Sequence, residues 1–466
     1  MRIPFDLIAV ILCADRIGDY LSHNAWDSAR VREAFWVWPM FWLASWYCHD
    51  VAARVTERRT ERYRAMAEIP EKTLHPNQYF SRCTIVAQAL SVLFFAAATW
   101  YLNWPMAVSF WPRWFGLHDD ASLAGFTLAK SVVVASSLMV GPYLIAMVLS
   151  WIPRRRLASG SRRSQIPLLT YLSFEAKLTW LPFCVSVVLA IITDVAQFLP
   201  YSYTAWLEKE PAQSLFIIGM MALAATVIMP LAAVTLWDCH PIPDGALKLK
   251  LEEVIARSGV KTRAILIWGG RNTGLLNAAV LGTWSRFRYV LISPMLAETL
   301  SVEETEAVLG HELGHARYGH PILYLAVYLS IMMAVSALYG TISQGWSAFP
   351  LLQVALMMTL LISFIYFFFG AVSRQCEREA DLASAELIGT PEPLITALEK
   401  VGERSGNSRS VPCWHHGSIA ERVTAVLQLS ADPTESIRFH ARQKWLRIAL
   451  IGGAVAMITA QLVLRY

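Results

Sequence analysis

The residues whose types and spacing could do chemistry lie in the C-terminal half of the chain. Residues 311–315 form an H-E-x-x-H motif, in which His311 and His315 are four residues apart. Residues at this spacing share one face of a helix, so both imidazoles could bind a single zinc ion. Glu312 would then lie close enough to an activated water molecule to act as a general base. The motif therefore predicts a hydrolytic metal site.

The surrounding sequence predicts that the motif lies on one helix over residues 301–320. Ser301 and Glu304 form an S-x-x-E capping box, and two further glutamates place negative charge near the N-terminal end of the helix. His320 falls outside the i, i+4 pair of imidazoles and is interpreted as a structural residue.

Catalytic zinc needs a third protein ligand and one open coordination position. A later charged stretch contains Glu377 and Asp381, again four residues apart. We expect Glu377 to complete a His-His-Glu site for one zinc ion per chain. Asp381 could accept the remaining N–H of a zinc-bound imidazole, and Arg374 could pair with a carboxylate of the same cluster. Glu379 and Cys376 are alternative ligands; Cys376 is the weaker one because it is adjacent to Glu377 and points away from it.

The composition indicates the environment in which this site is held. Of the 466 residues, 55% are hydrophobic and only 16% are charged, whereas soluble domains have roughly 45–50% and about 25%. The seven cysteines include no C-x-x-C pair, which argues against a disulfide scaffold. The net charge of +5 is small for this length and predicts no nucleic-acid partner. We expect a membrane protein.

Runs of about 20 apolar residues predict helices that cross the hydrocarbon core of a bilayer. Eight such spans are predicted, at residues 34–51, 84–103, 131–152, 178–199, 213–236, 322–341, 350–372 and 446–463. The first is rich in Trp and interrupted by Pro39. Segment 3–21 has a short apolar centre, which favours an amphipathic or re-entrant segment over a cleaved signal peptide.

The loops between the predicted spans alternate in basic charge. Loop 52–83 carries seven Lys and Arg residues and loop 153–177 carries six. The loops between them, 104–128 and 200–212, carry one each, and loop 342–349 carries none. Basic loops stay on the cytoplasmic side, so the alternation places residues 237–321 and 373–445 in the cytoplasm.

The motifs, taken in order, resemble a known family. H-E-L-G-H, followed after a predicted two-span hairpin by S-R-x-x-E-x-x-A-D, resembles the membrane zinc peptidases of the HtpX and type I CAAX prenyl protease family. Upstream, residues 277–282 are similar to the family's N-A-x-x-x-G segment. Downstream, residues 416–423 are similar to its H-P-x-x-x-x-R-[IV] segment, with Gly417 in place of the proline. The resemblance covers about 270–425.

The resemblance implies roles for further residues. Asn277 and Ala278 would belong to a substrate-binding edge strand near the active-site cleft. His416 and Arg422 would help to hold substrate and stabilise the developing oxyanion, and they join Glu312 as candidate catalytic residues. His415 is an alternative to His416, since Gly417 departs from the family pattern.

The fold expected is mainly α: a polytopic helical membrane protein of about eight transmembrane helices, with a cytoplasmic zincin-like metalloprotease domain that contains a small β-sheet. Periodicity predicts a helix over Leu247–Arg257 and short strands over Ala264–Trp268 and Tyr289–Ser293. The domains expected are a multi-spanning region at 1–236, a zinc metallopeptidase domain at 237–445 interrupted by a transmembrane hairpin at 322–372, and a C-terminal transmembrane helix at 446–466.

The function expected is that of a multi-pass zinc-dependent endopeptidase of the inner or plasma membrane, with its active site facing the cytoplasm. Its partners would be the lipid bilayer and a protein or peptide substrate, for which membrane-embedded and lipidated proteins are both candidates. One alternative is a signalling receptor, but the predicted outer loops are too short for a folded sensor domain. Another is a scaffold or transporter with a vestigial metal site, against which the intact set of His, Glu and Asp argues.

Overall fold

The computed structural model describes residues 224–269, 276–345, 363–405, 409–412 and 415–464, with scattered helical residues before 224 and between 345 and 363. The chain divides into two units: 1–66 with 76–224, and 67–75 with 225–466. Little of the first unit is described; Arg54 there pairs with Asp50 one helical turn away. The second unit contains all the residues with predicted roles in chemistry.

The second unit is mostly helical and contains one small sheet. Its helices and strands are, in chain order, α1 (Met229–Leu236), β1 (His240–Pro241), α2 (Ala246–Ser258), β2 (Ala264–Ile267), β3 (Ala278–Leu281), β4 (Tyr289–Ile292), α3 (Pro294–Thr299), α4 (Val302–Arg317), α5 (His320–Gly345), α6 (Gly370–Ile388), α7 (Glu392–Ser405), α8 (Ile419–Ala431) and α9 (Pro433–Leu464). π-helical turns at Ala224–Ile228 and Phe364–Phe369 run into α1 and α6, and a 3-10 turn at Ser285–Phe287 precedes β4.

The four strands form one sheet in the order β1-β2-β4-β3. β2 and β4 are parallel, whereas β1 and β3 are antiparallel to their neighbours. β4 is buried along its whole length, as expected of a central strand of β-branched and aromatic residues. β3 lies at one edge, and its register pairs Val280 with Val290. This edge strand leads directly to the site described below.

Both faces of the sheet are covered. On one face, Val290 and Ile292 of β4 pack with the apolar residues of α2, α3, α4 and α7, including Leu251 and Leu313. On the other face, Leu291 belongs to a smaller cluster in which Trp268 stacks on Trp237 with ring centroids 5.0 Å apart. Burial on both faces fixes the sheet relative to α4, since apolar side chains on opposite faces of β4 are removed from water.

Helices α4 and α6 pack very closely at Gly314. A Cβ added to Gly314 would lie 3.1 Å from the Cα of Ala380 and 3.1 Å from the Cβ of Ala383. Two turns earlier on α4, the Ser384 hydroxyl donates a 2.6 Å hydrogen bond to the carbonyl of Ala307. Small residues at such a crossing let two backbones approach closely, so the H-E-x-x-H helix and the helix carrying Glu377 lie side by side.

The local predictions for this unit are confirmed within one residue at each boundary. The helix expected at Leu247–Arg257 is α2, and the strands expected at Ala264–Trp268 and Tyr289–Ser293 are β2 and β4. The expected mixture of many helices and a small sheet is also found. The two-residue strand β1 was not anticipated, because so short a strand has no detectable alternation of apolar residues.

The prediction of one helix over residues 301–320 is wrong at its C-terminal end. The capping box of Ser301 and Glu304 is present, but α4 ends at Arg317 and a new helix begins at His320. Gly319 between them has a φ of +70°, a left-handed conformation that glycine adopts at little cost. The break changes the direction of the chain just before His320.

Helices α5 and α9 contain two of the predicted spans, 322–341 and 446–463. None of the described helices combines the length and the apolar character needed to cross a membrane. The count of eight spans stays a prediction, as do the domain boundaries. The spans at 84–103 and 131–152 lie outside the described residues.

Candidate metal centre

Three predicted ligands come together between α4 and α6. His311 Nε2 and His315 Nε2 lie 3.2 Å apart, and each faces Glu377 of α6, at 3.6 Å from Oε2 and 3.5 Å from Oε1 respectively. Among the described residues, these three form the group of His, Cys, Asp or Glu side chains that could hold a metal ion, with ligand atoms within 4.8 Å of one another. Helical spacing places the two imidazoles, and the Gly314 crossing supplies the carboxylate.

The alternative ligands do not point into this group. Cys376 is buried, and burial raises the pKa of its thiol to about 12, so it remains protonated at neutral pH. Glu379 turns instead toward His320, with Oε2 2.9 Å from Nε2 of that ring. Of the three candidates on α6, Glu377 is therefore the one that joins the histidines.

Asp381 lies against the far side of the first imidazole. Its Oδ1 is 2.9 Å from Nδ1 of His311. Arg422 of α8 holds the same carboxylate with two hydrogen bonds, from Nε to Oδ2 at 2.9 Å and from Nη2 to Oδ1 at 2.6 Å. Asp381 is 1% exposed, and a buried carboxylate needs such pairing to remain ionised. The predicted orienting role thus has a matching geometry.

The donor set fits zinc on three grounds. In a tetrahedral site with bonds of about 2.0–2.1 Å, ligand atoms lie roughly 3.3–3.4 Å apart, close to the 3.2–3.6 Å found between these three residues. His311 donates its Nδ1 proton to Asp381, so the Nε2 lone pair faces the group. Glu377 Oε2 is buried without a hydrogen bond. A cation would satisfy all of these lone pairs.

The protonation states of His315 and Glu377 also suit a cation. Burial disfavours protonation of His311, but the hydrogen bond and the charge of Asp381 outweigh it and raise the pKa of this imidazole, so a metal competes with a proton at this ligand. Burial lowers the pKa of His315 well below its usual value, which keeps this imidazole neutral. Burial alone would favour the protonated form of Glu377, but His416 and Arg422 together hold the pKa of its carboxyl well below the usual range. Neutral imidazole and ionised carboxylate are the forms that bind a metal.

Glu312 lies beside the ligands and reaches the edge of the sheet. Its side chain is partly buried, and burial raises its pKa to about 7, with the negative charge of Glu377 adding to the rise. The backbone N–H of Val280 in β3 donates a hydrogen bond to it. A carboxylate that titrates near neutral pH is well suited to accept and return a proton.

His416 stands at the open side of the group. Its Nδ1 lies 2.9 Å from Glu377 Oε2, outside hydrogen-bond geometry, and nearly half of its side chain is exposed. Gly417, which replaces the family's proline, has a φ of +76°, a value closed to proline. The local backbone therefore differs here from the family pattern. The ring of His415 packs on that of His416 with centroids 3.9 Å apart.

The remaining predicted residues lie around this centre. The backbone of Asn277 bonds Ser293, donating to its Oγ and accepting from its N–H, both at 3.0 Å. Ala278 opens β3 and its side chain is buried in the core. Arg374 lies near Gly417, where its Cδ would be 3.8 Å from an added Cβ. The side chain of Ala278 is therefore closed to a substrate, whereas that of Asn277 is exposed.

Some contributions to the site were missed by reasoning on the sequence. His320 and Glu379 lie directly behind His315, and Ser418 with Glu421 caps the helix that carries Arg422. Two of these had readable patterns: Gly319 followed by His320-Pro321 is a stop-and-start pattern between helices, and Ser418-x-x-Glu421 is a capping box. No sequence pattern indicates the pairing of Glu379 with residues of α9.

Comparison with known proteins shows relatives of this half of the chain. Residues 241–445 match Peptidase family M48. A CAAX prenyl protease 1 homolog of Caenorhabditis elegans is 29% identical over 265 residues, which cover 46% of this chain and 59% of that protein. A protease HtpX homolog of Janthinobacterium sp. is 26% identical over 184 residues, covering 34% of this chain and 59% of that protein. The chain thus spans about three fifths of the length of each of these relatives.

A solved structure shares the fold over a longer stretch. Ste24p of S. mikatae matches with a TM-score of 0.50, covering 84% of this chain and 98% of that one. The sequence identity is 18%, so this likeness bears on the fold alone. The resemblance to the HtpX and CAAX prenyl protease family is confirmed by the match to Peptidase family M48 and by the two relatives named above.

Proposed function

We propose that this chain is an integral membrane zinc endopeptidase, and the match of residues 241–445 to Peptidase family M48 supports the proposal. The observation that carries the proposal is the group formed by His311, His315 and Glu377, whose ligand atoms have tetrahedral spacing. These three residues would hold the metal. Zinc bound there would polarise the scissile carbonyl and lower the pKa of a water molecule.

The surrounding side chains supply the rest of the chemistry. Glu312, with its pKa near 7, accepts a proton from the attacking water and returns it to the leaving amine. His416, exposed at the open side of the group, donates to the developing oxyanion. Arg422 holds Asp381 with Nε and Nη2, while its Nη1, 3.5 Å from Glu377 Oε2, adds positive charge beside the ligands.

The edge of β3 offers a way to align an extended peptide. Within the part of the chain that the structure describes, β3 pairs with β4 on one side and has no strand on the other. The N–H of Val280 faces Glu312, so it lies on the opposite side of β3 from β4. A peptide that adds to this edge as a further strand would run past the general base. The substrate is accordingly an extended segment of a protein. A membrane-embedded or lipidated protein fits the predicted spans, and the site is proposed to face the cytoplasm.

The direct test uses the purified full-length protein in detergent, loaded with zinc. Cleavage of fluorescently labelled casein and of a farnesylated peptide is compared for the wild type, Glu312→Gln and the control Glu298→Gln, which changes an exposed residue of α3. We expect Glu312→Gln to keep one zinc per chain, measured by mass spectrometry, and to lose cleavage of every substrate the wild type cuts. Undiminished cleavage by Glu312→Gln would overturn the mechanism.

The physiological substrate can be sought in membranes. Proteomics of membranes from cells that express Glu312→Gln, compared with cells that express the wild type, should show uncut proteins that accumulate only with the variant. A vestigial metal site in a scaffold or transporter predicts instead that neither Glu312→Gln nor His311→Ala changes the membrane proteome.

A further inference from the structure

A second set of buried polar groups lies directly behind His315. Nδ1 of this imidazole is 2.8 Å from Nδ1 of His320, and Nε2 of His320 is 2.9 Å from Oε2 of Glu379. His320 is 0% exposed and Glu379 is 1% exposed. Burying such groups is costly unless they are fully paired. The burial of His320 and Glu379 behind a candidate metal ligand therefore indicates a specific role for them.

The direction of the hydrogen bonds follows from the metal group. Nε2 of His315 faces the other ligands, so in the metal-binding tautomer its proton is on Nδ1. That proton is donated to Nδ1 of His320, which must then carry its own proton on Nε2 and donate it to Glu379. Each of these two hydrogen bonds therefore has one possible direction, and the last acceptor is the carboxylate of Glu379.

The terminal carboxylate is held by the C-terminal helix. Arg447 of α9 pairs with Oε2 of Glu379, and Nδ1 of His440, also in α9, lies 3.4 Å from its Oε1. Both side chains also pack on Tyr318, at the end of the H-E-x-x-H helix: the ring of His440 stacks at 5.2 Å and the guanidinium of Arg447 lies 5.3 Å from the ring centroid. Helix α9 thus makes ionic contacts with α6 through Glu379 and ring contacts with Tyr318, the residue that follows α4.

The arrangement parallels the one behind the other histidine. His311 is backed by Asp381, which is held by Arg422 of α8. His315 is backed, through His320, by Glu379, which is held by Arg447 of α9. Residues 379 and 381 belong to the same helix as the ligand Glu377, so α6 carries one carboxylate for the metal and one for each imidazole.

We propose that Glu379, acting through His320, is a positioning residue for the zinc ligand His315, and that Arg447 and His440 make the C-terminal helix a structural part of the metal site. The inference rests on the proposed zinc site but not on the reaction carried out there. Loss of this support leaves His315 free to rotate, and zinc binds more weakly. Groups that orient metal ligands typically contribute 10–100-fold to metal affinity.

The experiment measures metal binding by the full-length protein in detergent. Zinc affinity is measured by competition with a chromophoric chelator, and the visible spectrum of the cobalt-substituted protein reports ligand geometry. The variants are Glu379→Gln and His320→Phe. The matched control is Glu386→Gln, since Glu386 lies on the same helix and bonds His440 without contacting His320. Thermal unfolding of the metal-free forms reports stability alone.

We expect His320→Phe to weaken zinc binding 10–100-fold and Glu379→Gln about tenfold, both with a shifted cobalt spectrum, whereas Glu386→Gln matches the wild type. If either variant does not fold, Arg447→Lys, which keeps the charge but loses the planar fork, should weaken zinc binding in the same direction. Wild-type affinity and spectrum in Glu379→Gln, with or without a lower unfolding temperature, would overturn the inference and leave the proposed protease intact. Failure of the wild type to bind zinc would overturn the site and the inference together.

Discussion

Gly314 of the H-E-x-x-H helix lies against the backbone of Ala380 in the helix that carries the third ligand. A Cβ on Gly314 would be 3.1 Å from the Cα of Ala380, closer than packed helices tolerate without a shift. The close approach of the two helices that brings the three candidate ligands together therefore depends on the absence of a side chain at residue 314. The glycine within H-E-L-G-H thus does more than separate the two histidines.

Gly314→Ala should force α4 and α6 apart at the metal site. We expect the unfolding free energy to fall by roughly 1–3 kcal/mol, as for overpacked cores, and zinc binding to weaken as well. Gly452→Ala in α9, where an added Cβ meets nothing within 4 Å, is the control and should be neutral or slightly stabilising. Thermal unfolding with and without zinc measures both effects. Equal behaviour of the two variants would show that the close approach is not required.

Asp381→Asn tests the support behind His311. An amide is a weaker acceptor than the carboxylate, and it can present its NH2 group to the imidazole, so the metal-binding tautomer is no longer enforced. It also leaves Arg422 without its buried partner. We expect zinc affinity to fall 10–100-fold, measured by chelator competition. Asp432→Asn, an exposed change at the start of α9, should have no effect. The assignment fails if both variants bind zinc like the wild type.

His440 predicts a pH dependence of stability. Hydrogen bonds to Glu379 and Glu386 raise its pKa from 6.5 to about 9. The folded protein therefore binds this proton more tightly than the unfolded chain. The stabilisation of the folded protein by protonated His440 is complete below pH 6.5 and is lost as the pH rises through 9.

His440→Gln should cost roughly 1–2 kcal/mol below pH 6.5, allowing for solvent at this partly exposed residue. The difference from the wild type should vanish near pH 10. Thermal unfolding at pH 6, 8 and 10 measures it, with His240→Gln in the exposed strand β1 as the control. A difference that does not change between pH 6 and 10 would argue against a charged His440.

Gly417→Pro tests the departure from the family pattern. Proline fixes φ near −65°, whereas residue 417 has a φ of +76°. The substitution should move the preceding His416 away from Glu377 and cost more than about 1 kcal/mol. We expect casein cleavage to fall about fivefold or more while zinc content stays at one per chain. Faster cleavage by the variant would indicate that the family backbone is preferred here as well.

Much of the metal site follows from local rules that operate along the chain. Helical periodicity brings His311 and His315 to one face of α4. It also brings Glu377 and Asp381 to one face of α6, whatever the positions of the two helices. The capping box fixes the start of α4 at Ser301, and short β-branched runs define β2 and β4. These features depend on residues within about one helical turn or one strand of each other, so reasoning from the sequence captures them.

The tertiary structure decided which groups meet. Arg422 joins Asp381 across 41 residues, and Arg447 joins Glu379 across 68; no periodicity links such distant residues. His320 looked remote from the metal because five residues of continuous helix would turn it to another face, and only the left-handed backbone at Gly319 returns it to His315. The sequence by itself determined the candidate ligands and their order along the chain. The crossing of α4, α6 and α9 determined what orients them, because that depends on packing between helices distant in sequence.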